Sequence, residues 1–387
     1  MVTQLVDEGH SVDLLYLDFA KAFDTVPHVR LISKVRAHGI DGNIAEWIKQ
    51  WLTNRKQRVV LNGKASPWSN VLSGVPQGSV LGPCLFLIYI NDIDSAIDST
   101  FVLMMKFADD TKIAAIVETS VDCRKLQDQI NNLFKWSQKW QAGFNIDKCK
   151  VMHLGGQKNS HHQYTLGGEV LKTTEVEKDI GVYIHTSLTP SVQVAEAAKK
   201  ANKALYGLLK CLTYRDKVHY IKLYKIHVRC HLECAIQAWN PWLKRDIDLL
   251  ESVQRRAISY VRGLHGQYEE KLKQVNLTTL LERRNRGDMI QTYKILHRVD
   301  DVDYHTWFTK ADEGSHHSTR LTTEIADDGE QSATLNLKKK NRARLALREH
   351  FFSNRVVNNW NKLPNNVKFA SDVNNFKVEH DKYAYTD

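Results

Sequence analysis

The chain has 387 residues, 42% hydrophobic and 25% charged, an ordinary globular composition long enough for two or three domains, which excludes a fibrous or wholly disordered protein. Its net charge of +10 suits polyanionic partners, and the excess is local: between Lys199 and Arg256 there are 13 Lys/Arg against 5 Asp/Glu. The apolar run Val80–Ile90 is too short to span a bilayer, no basic leader opens the chain, and six irregularly spaced cysteines read as reduced thiols, so the expected setting is the nucleus or cytoplasm, without membrane insertion.

Val12–Leu17 is a mostly apolar run ending at Asp18, as a buried strand would be. Pro27 opens a helical pattern through Leu31, Ile32 and Val35 that stops near Gly39, and a second helix over 43–54 spaces Ile44, Trp47, Ile48 and Trp51 helically. Arg58–Leu61, Asn62-Gly63 and Lys64-Ala65 predict a hairpin with a two-residue turn. A glycine-rich loop then leads into a buried helix over 83–93. Phe101–Met105 and Thr111–Val117 predict strand, tight turn, strand around Phe107–Asp110. A helix of about twenty residues follows, carrying Leu126, Ile130, Leu133 and Trp136 at helical spacing. Residues 144–154 return to strand character. From 190 to 300 the pattern is nearly all helical, 309–334 is polar and weakly periodic, and Lys338–Arg348 is a basic helical candidate. The tail carries apolar anchors at Val356, Val357, Trp360, Leu363 and Phe376, and there is no internal repeat. The expected organisation is a mixed α+β domain over 1–175, a helical region over 176–305, a polar linker over 306–340 and a C-terminal helical segment over 341–387.

Asp109-Asp110 is the first candidate for chemistry. Read alone, an acidic pair on a tight turn is most simply a solvated hairpin. Asp18 changes the weighing, because a carboxylate at the end of a buried strand needs a partner or a metal. If that strand lies beside the hairpin, the three acids meet, and carboxylate with water is the ligand set of Mg²⁺. Two ions about 3.5–4 Å apart would activate a hydroxyl and stabilise a leaving pyrophosphate. Asp13 and Asp24 lie off the strand's apolar end and read as structural. His227, Cys230, His231 and Cys234 could suggest zinc, but four ligands on one helix face cannot close a tetrahedron, and a buried helix face is the better reading. Trp136, Trp140, Trp239 and Trp242 read as core or interface anchors.

Leu17–His28 (LDFAKAFDTVPH) resembles motif A of reverse transcriptases. Gly74–Pro83 (GVPQGSVLGP) resembles motif B, Phe107–Thr111 (FADDT) motif C and Asn145–Lys148 (NIDK) motif D. Four motifs in order are specific, and their wording is that of non-LTR (LINE-type) retrotransposons of the jockey-like branch. The similarity runs on through Ile180-Gly181-Val182, His231-Leu232-Glu233, Ala238-Trp239, Gln254–Ala257 and Trp360–Pro364, and so over nearly the whole chain. The motif wording disfavours a cellular maturase or a telomerase-like enzyme.

The resemblance implies a right-hand polymerase palm followed by an all-helical thumb, acting as an RNA-directed DNA polymerase on an RNA template, a DNA primer and dNTP. Two Mg²⁺, or Mn²⁺ in their place, would be held by Asp18, Asp109 and Asp110 with help from the Phe19 carbonyl. Phe23 would exclude a ribose 2′-hydroxyl, against the reading of a core aromatic. Gln77 and Gly78 would lie near the nucleotide and template base. Lys148 would protonate the leaving pyrophosphate, although a lone lysine is more often simply solvated. Lys199, Lys200, Lys203, Arg255 and Arg256 would track duplex phosphates, against the reading of a solvated surface. No feature points to a stable protein partner. Because 17 residues precede Asp18, the resemblance also leads one to expect a 5′-truncated copy with its fingers largely missing, weak or inactive alone; the alternative function is a remnant that only binds nucleic acid through its basic thumb.

Overall fold

The computed structural model describes residues 2–311, 335–339 and 343–385. They form two compact units, Met1–Val176 and Glu177–Asp387. The first is built on a five-stranded sheet. After α1 (Val2–Glu8) comes β1 (Val12–Leu17), then α2 (Ala22–Thr25), α3 (His28–Ala37) and α4 (Gly42–Leu52). Two short ribbons follow, β2 (Lys56–Gln57) with β5 (Ser69–Asn70) and, within them, β3 (Val60–Leu61) with β4 (Lys64–Ala65). The inner ribbon turns through Asn62 and Gly63, both at positive φ (49° and 78°), as a tight right-twisting hairpin requires. Then come α5 (Leu81–Ile90), a 3₁₀ turn (Asn91–Ala96), β6 (Leu103–Phe107), β7 (Asp110–Ile116), α6 (Ser120–Trp140), β8 (Lys150–Leu154), and the short β9 (Thr165–Leu166), β10 (Glu169–Val170) and β11 (Lys172–Thr173).

The sheet order is β11-β8-β1-β7-β6, antiparallel except for the β11–β8 pair. Central β1 is buried at every position except half-buried Tyr16, and Leu15, Leu17, Ile113, Ala115 and Val151 share one core with the helices. Helix α6 is started by a Thr119/Asp122 capping box and packs Cys123, Leu126, Ile130, Leu133 and Trp136 into that core. Lys34 on α3 is also buried. Its ammonium pairs with Asp92 at 2.6 Å and sits 3.8 Å from the Trp140 ring centre, with Tyr89 and Trp136 at 4.9 Å. The strand expected over 144–154 is shorter than the sequence suggests. Only Lys150–Leu154 is strand, because Lys148 N and Cys149 N both donate to Asn145 O and fold 145–149 into a turn.

The second unit opens with the hairpin β12 (Val176–Asp179) and β13 (Val182–His185). Helices α7 (Ser191–Cys211), α8 (His219–Tyr224), a π-turn (Lys225–Arg229), α9 (Cys230–Glu233), α10 (Ile236–Trp239), α11 (Lys244–Ser259), α12 (Tyr268–Gln274), α13 (Leu280–Leu296) and α14 (Tyr304–Trp307) follow. Small residues at Ala197, Ala198 and Ala201 let α7 approach α11 closely, with Leu250, Val253 and Ala257 in the same core. The inward row of the α8–α10 stretch is Tyr224, Val228, Leu232 and Ile236. His227, Cys230, His231 and Cys234 therefore lie on the exposed side, which corrects the expected buried face. Among the described residues no group of three or more His, Cys, Asp or Glu is gathered to hold a metal.

Of the polar linker expected over 306–340, residues 312–334 and 340 lie outside the described residues. The described parts include β14 (Thr309–Lys310) paired with β15 (Leu337–Lys338). The basic helix expected over 338–348 is corrected in its described part: Lys338 is strand, and helix α15 spans only Ala346–Glu349. Then α16 (Phe352–Asn361), α17 (Asn365–Lys368) and α18 (Val373–Tyr385) close a third core around Trp360 and Phe376, with Val356, Val357 and Leu363 also buried. Among the described residues no helix is long and apolar enough to cross a membrane.

Candidate active site

Strand register sets Asp18 and the Asp109-Asp110 turn at the ends of adjacent strands, although the three acids are not drawn together into a closed metal-ligand cluster among the described residues. β1 pairs with β7 from Val12↔Ile116 to Leu17↔Thr111, so Asp18 directly follows the last paired residue of β1 and Asp110 directly precedes the last paired residue of β7. The β6–β7 hairpin closes on Phe107↔Asp110, leaving Ala108 and Asp109 as its turn, with Ala108 in the left-handed region at φ 53°. Asp18 and Asp109 are half-buried and Asp110 is exposed.

Beyond Asp18 the chain stays in register with a third segment. Asn145 N donates to Asp18 O and Ala20 N to Gly143 O, both at 2.8 Å, and the Phe19 ring stacks on Phe144 at 4.7 Å. This contact orients the Asn145–Cys149 turn so that Lys148 reaches back. Its Nζ lies 2.9 Å from Asp18 Oδ2. The ammonium is held above its ordinary pKa by hydrogen bonding and charge from Asp18, with a further contribution from Asp109. Cys149 lies behind the aspartate, with Asp18 N 3.4 Å from its Sγ, and burial pushes its thiol up to about 11. Sequence reasoning missed that cysteine, and nothing in its local pattern marks it.

These residues suit a divalent cation by one observation. Asp18 Oδ2 is shielded from solvent, and its compensation is the single ion pair, at 2.9 Å, with an ammonium on an exposed side chain. A partly buried carboxylate compensated by one exchangeable cation can accept another. Asp18, Asp109 and Asp110 would be the holders, and the Phe19 backbone lies beside them in the bridge to Phe144.

Phe23 is half-buried on α2 and stacks on Phe86 of α5, ring centres 4.7 Å apart. Gln77 and Gly78 are exposed on the loop between β5 and α5, and Gln77 Nε2 donates to Asp24 Oδ1 at 2.9 Å. Asp24, expected to be structural, thus has its carboxylate against a candidate nucleotide-binding residue. Arg55 is the other residue that sequence reasoning passed over. It donates from Nη2 to Gly74 O at 2.6 Å, beside His28, whose Nε2 is 2.9 Å from the same oxygen.

In the second unit Lys199, Lys200 and Lys203 are exposed on α7, and Arg255 and Arg256 are exposed on α11. Arg256 Nη1 donates to Asn202 Oδ1 at 3.1 Å, which ties the two basic rows side by side. Tyrosines are interleaved with them. Tyr206 lies under Lys210 and Tyr260 under Arg215, both rings exposed, a pattern of alternating cations and aromatics legible in the sequence once helix faces are known. Of the tryptophans, Trp136 and Trp239 are buried, Trp140 packs on Tyr89 and Trp242 stacks on His350.

Comparison with known proteins gives two kinds of match. The chain is 27% identical over 260 residues to the RNA-directed DNA polymerase from mobile element jockey of Drosophila funebris, covering 64% of this chain and 28% of that protein. It is 24% identical over 263 residues to the probable RNA-directed DNA polymerase from transposon X-element of Drosophila melanogaster, covering 66% and 29%. The chain thus spans under a third of the length of these relatives. Among solved structures, telomerase from Candida albicans matches at TM-score 0.39 and 12% identity, over 72% of this chain and 53% of that one. Residues 3–206, more than half of the chain, match the family described as reverse transcriptase (RNA-dependent DNA polymerase), and the chain belongs to that family.

Proposed function

We propose that the chain carries the polymerase core of a non-LTR retrotransposon reverse transcriptase and extends a DNA primer on an RNA template. The observation that carries this reading is the meeting of Asp18 and Lys148 beside the Asp109–Asp110 turn, at the ends of two adjacent strands. The primer 3′-oxygen attacks the α-phosphorus of a dNTP; the bond to pyrophosphate breaks as the new phosphodiester forms. Bound divalent ions would supply charge neutralisation and a more acidic 3′-hydroxyl.

The protein's own part is placement. Asp18, Asp109 and Asp110 fix where cations sit, in a transfer that depends mainly on positioning and charge. Lys148, whose ammonium lies 2.9 Å from Asp18 Oδ2, would give a proton to the departing pyrophosphate. Phe23, backed by Phe86, presents a wall to the sugar that excludes a 2′-hydroxyl. The exposed cations of α7 and α11 contact phosphates in a salt-dependent, sequence-independent way.

The test is Mg²⁺-dependent primer extension on an RNA template by the wild type and by Asp109→Asn. Extension by the wild type alone is the expected result. No extension by either, with duplex binding intact in both, overturns the enzyme reading and leaves nucleic-acid binding as the function.

A further inference from the structure

The loop Ser73–Gly78 is bound to the segment Phe23–His28 by more contacts than the proposed chemistry uses. Gly74 N donates to Val26 O and Val75 N to Phe23 O, both at 2.8 Å, so the two backbones run together. Ser73 Oγ donates to Asp24 O at 2.8 Å, and Gln77 Nε2 donates to the Asp24 carboxylate at 2.9 Å. The approach is so close that a Cβ on Gly74 would stand 2.7 Å from Asp24 O.

A second set of contacts fixes the same loop from its other side. Gly74 O receives Arg55 Nη2 at 2.6 Å and has His28 Nε2 at 2.9 Å. Arg55 is itself anchored, its Nε donating to Leu52 O at 2.7 Å at the end of α4. Burial holds both His28 and Arg55 below their ordinary pKa values, which keeps the imidazole neutral beside the guanidinium. An exposed glutamine ordinarily samples many rotamers, so a charge-assisted bond to a fixed carboxylate is what gives Gln77 a defined direction.

We propose that Asp24, His28 and Arg55 are positioning residues that lock Gln77 and its loop to the Phe23 segment, so that Phe23 and Gln77 select the incoming nucleotide as one body. This rests on the polymerase reading. Asp24 holds the Gln77 side chain, while His28 and Arg55 hold the loop backbone through Gly74 O. Phe23 is already braced by Phe86, so the clamp joins sugar selection and base placement into one geometry. A site must be held to a fraction of an ångström to discriminate, and none of the three needs to touch the nucleotide to matter.

The experiment uses the full chain. Asp24 is exposed, so Asp24→Ala should fold. It is expected to raise the dNTP KM about tenfold with a smaller change in kcat, and to lower the preference for dNTP over rNTP, as small misplacements do. Asp24→Asn keeps an acceptor oxygen for Gln77 but loses its charge, and should fall between wild type and Asp24→Ala. The double variant with Gln77→Ala should be no worse than Gln77→Ala alone. Effects that multiply in the double variant, or an Asn variant as impaired as the Ala one, overturn the role of Asp24. Hydrogen exchange at the Val75 amide reports the clamp without activity: Arg55→Lys, which lacks the planar fork, should exchange faster there, and unchanged exchange overturns the role of Arg55. A wild type that extends no primer overturns the polymerase reading and the selective role with it, while the exchange result still judges the clamp.

Discussion

Gly74→Ala and Gly78→Ala test the packing of this loop, because they share one penalty and differ in the other. Both glycines have positive φ, 88° and 79°, where an L side chain costs about 1–2 kcal/mol. Gly78 has nothing within 4 Å of an added Cβ, so its variant should lose only that amount. At Gly74 the Cβ would lie 2.7 Å from Asp24 O and 2.8 Å from Asp24 C and Cα. Those are backbone atoms tied by the Ser73 hydroxyl bond to Asp24 O, so they cannot swing aside as a side-chain end would. Overpacking of that kind adds about 1–3 kcal/mol, for a total of about 2–5. Urea unfolding, with hydrogen exchange on peptides spanning 22–28 and 73–79 to isolate the first unit's transition, measures the difference. Equal losses in the two variants, within about 0.5 kcal/mol, would refute the close approach of loop and α2.

Other residues give independent expectations. Asp13→Ala leaves the His153, Asn159 and Tyr164 groups, each 2.7 Å from its carboxylate, without an acceptor, and should cost about 3–5 kcal/mol in urea unfolding; a loss below about 1 would show the network to be dispensable. Arg355→Ala strands the buried Asp288, now held at 2.9 Å, and should destabilise the second unit by about 3–5 kcal/mol, read from its own exchange-resolved transition. His28 has a folded pKa held below 6.5 by burial, so its contribution is present above pH 6.5 and lost as pH falls below it; stability of the first unit should decline there, and His28→Gln should flatten that decline. Lys148→Met removes the ammonium 2.9 Å from Asp18 Oδ2, so Mn²⁺ should bind several-fold more tightly by electron paramagnetic resonance, while Asp18→Asn weakens it; unchanged binding in Lys148→Met would mean that the pair does not compete with metal.

What the sequence revealed and what it concealed follow from how far apart the deciding contacts lie. The run Val12–Leu17, the Asn62-Gly63 turn and the α6 stripe are local patterns, and each element is found where periodicity sets it. Residues 144–154 misled because their composition suits a strand throughout. The turn at Asn145–Cys149 arises from a long-range bond, Asn145 N to Asp18 O, that no local pattern encodes. The same bond delivers Lys148 to Asp18. Arg55 was invisible for a similar reason: a single arginine in a polar stretch acquires meaning only when Gly74, nineteen residues on, offers its carbonyl. The face of His227, Cys230, His231 and Cys234 was misjudged because helical spacing gives the period but not the inward direction, which Tyr224, Val228 and Leu232 set instead.

One strand shows how environment, not residue type, assigns the role. β1 carries Asp13 and leads directly into Asp18, both carboxylates in the sheet's central strand line. Asp13 is fully buried and accepts from an imidazole, an amide and a phenol. Its lone pairs are committed to donors that cannot leave without unpacking the core, so a cation would have to break that network to bind. Asp18 is only half-buried, and its shielded oxygen faces a single ammonium on an exposed side chain. Replacing that ammonium breaks one ion pair and no buried network, because Lys148 itself is exposed. Five residues apart, one aspartate is therefore fixed by three buried donors and the other paired with a single ammonium on an exposed side chain. The number and mobility of the partners separate the two, and that criterion carries over to any buried strand that ends in an acid.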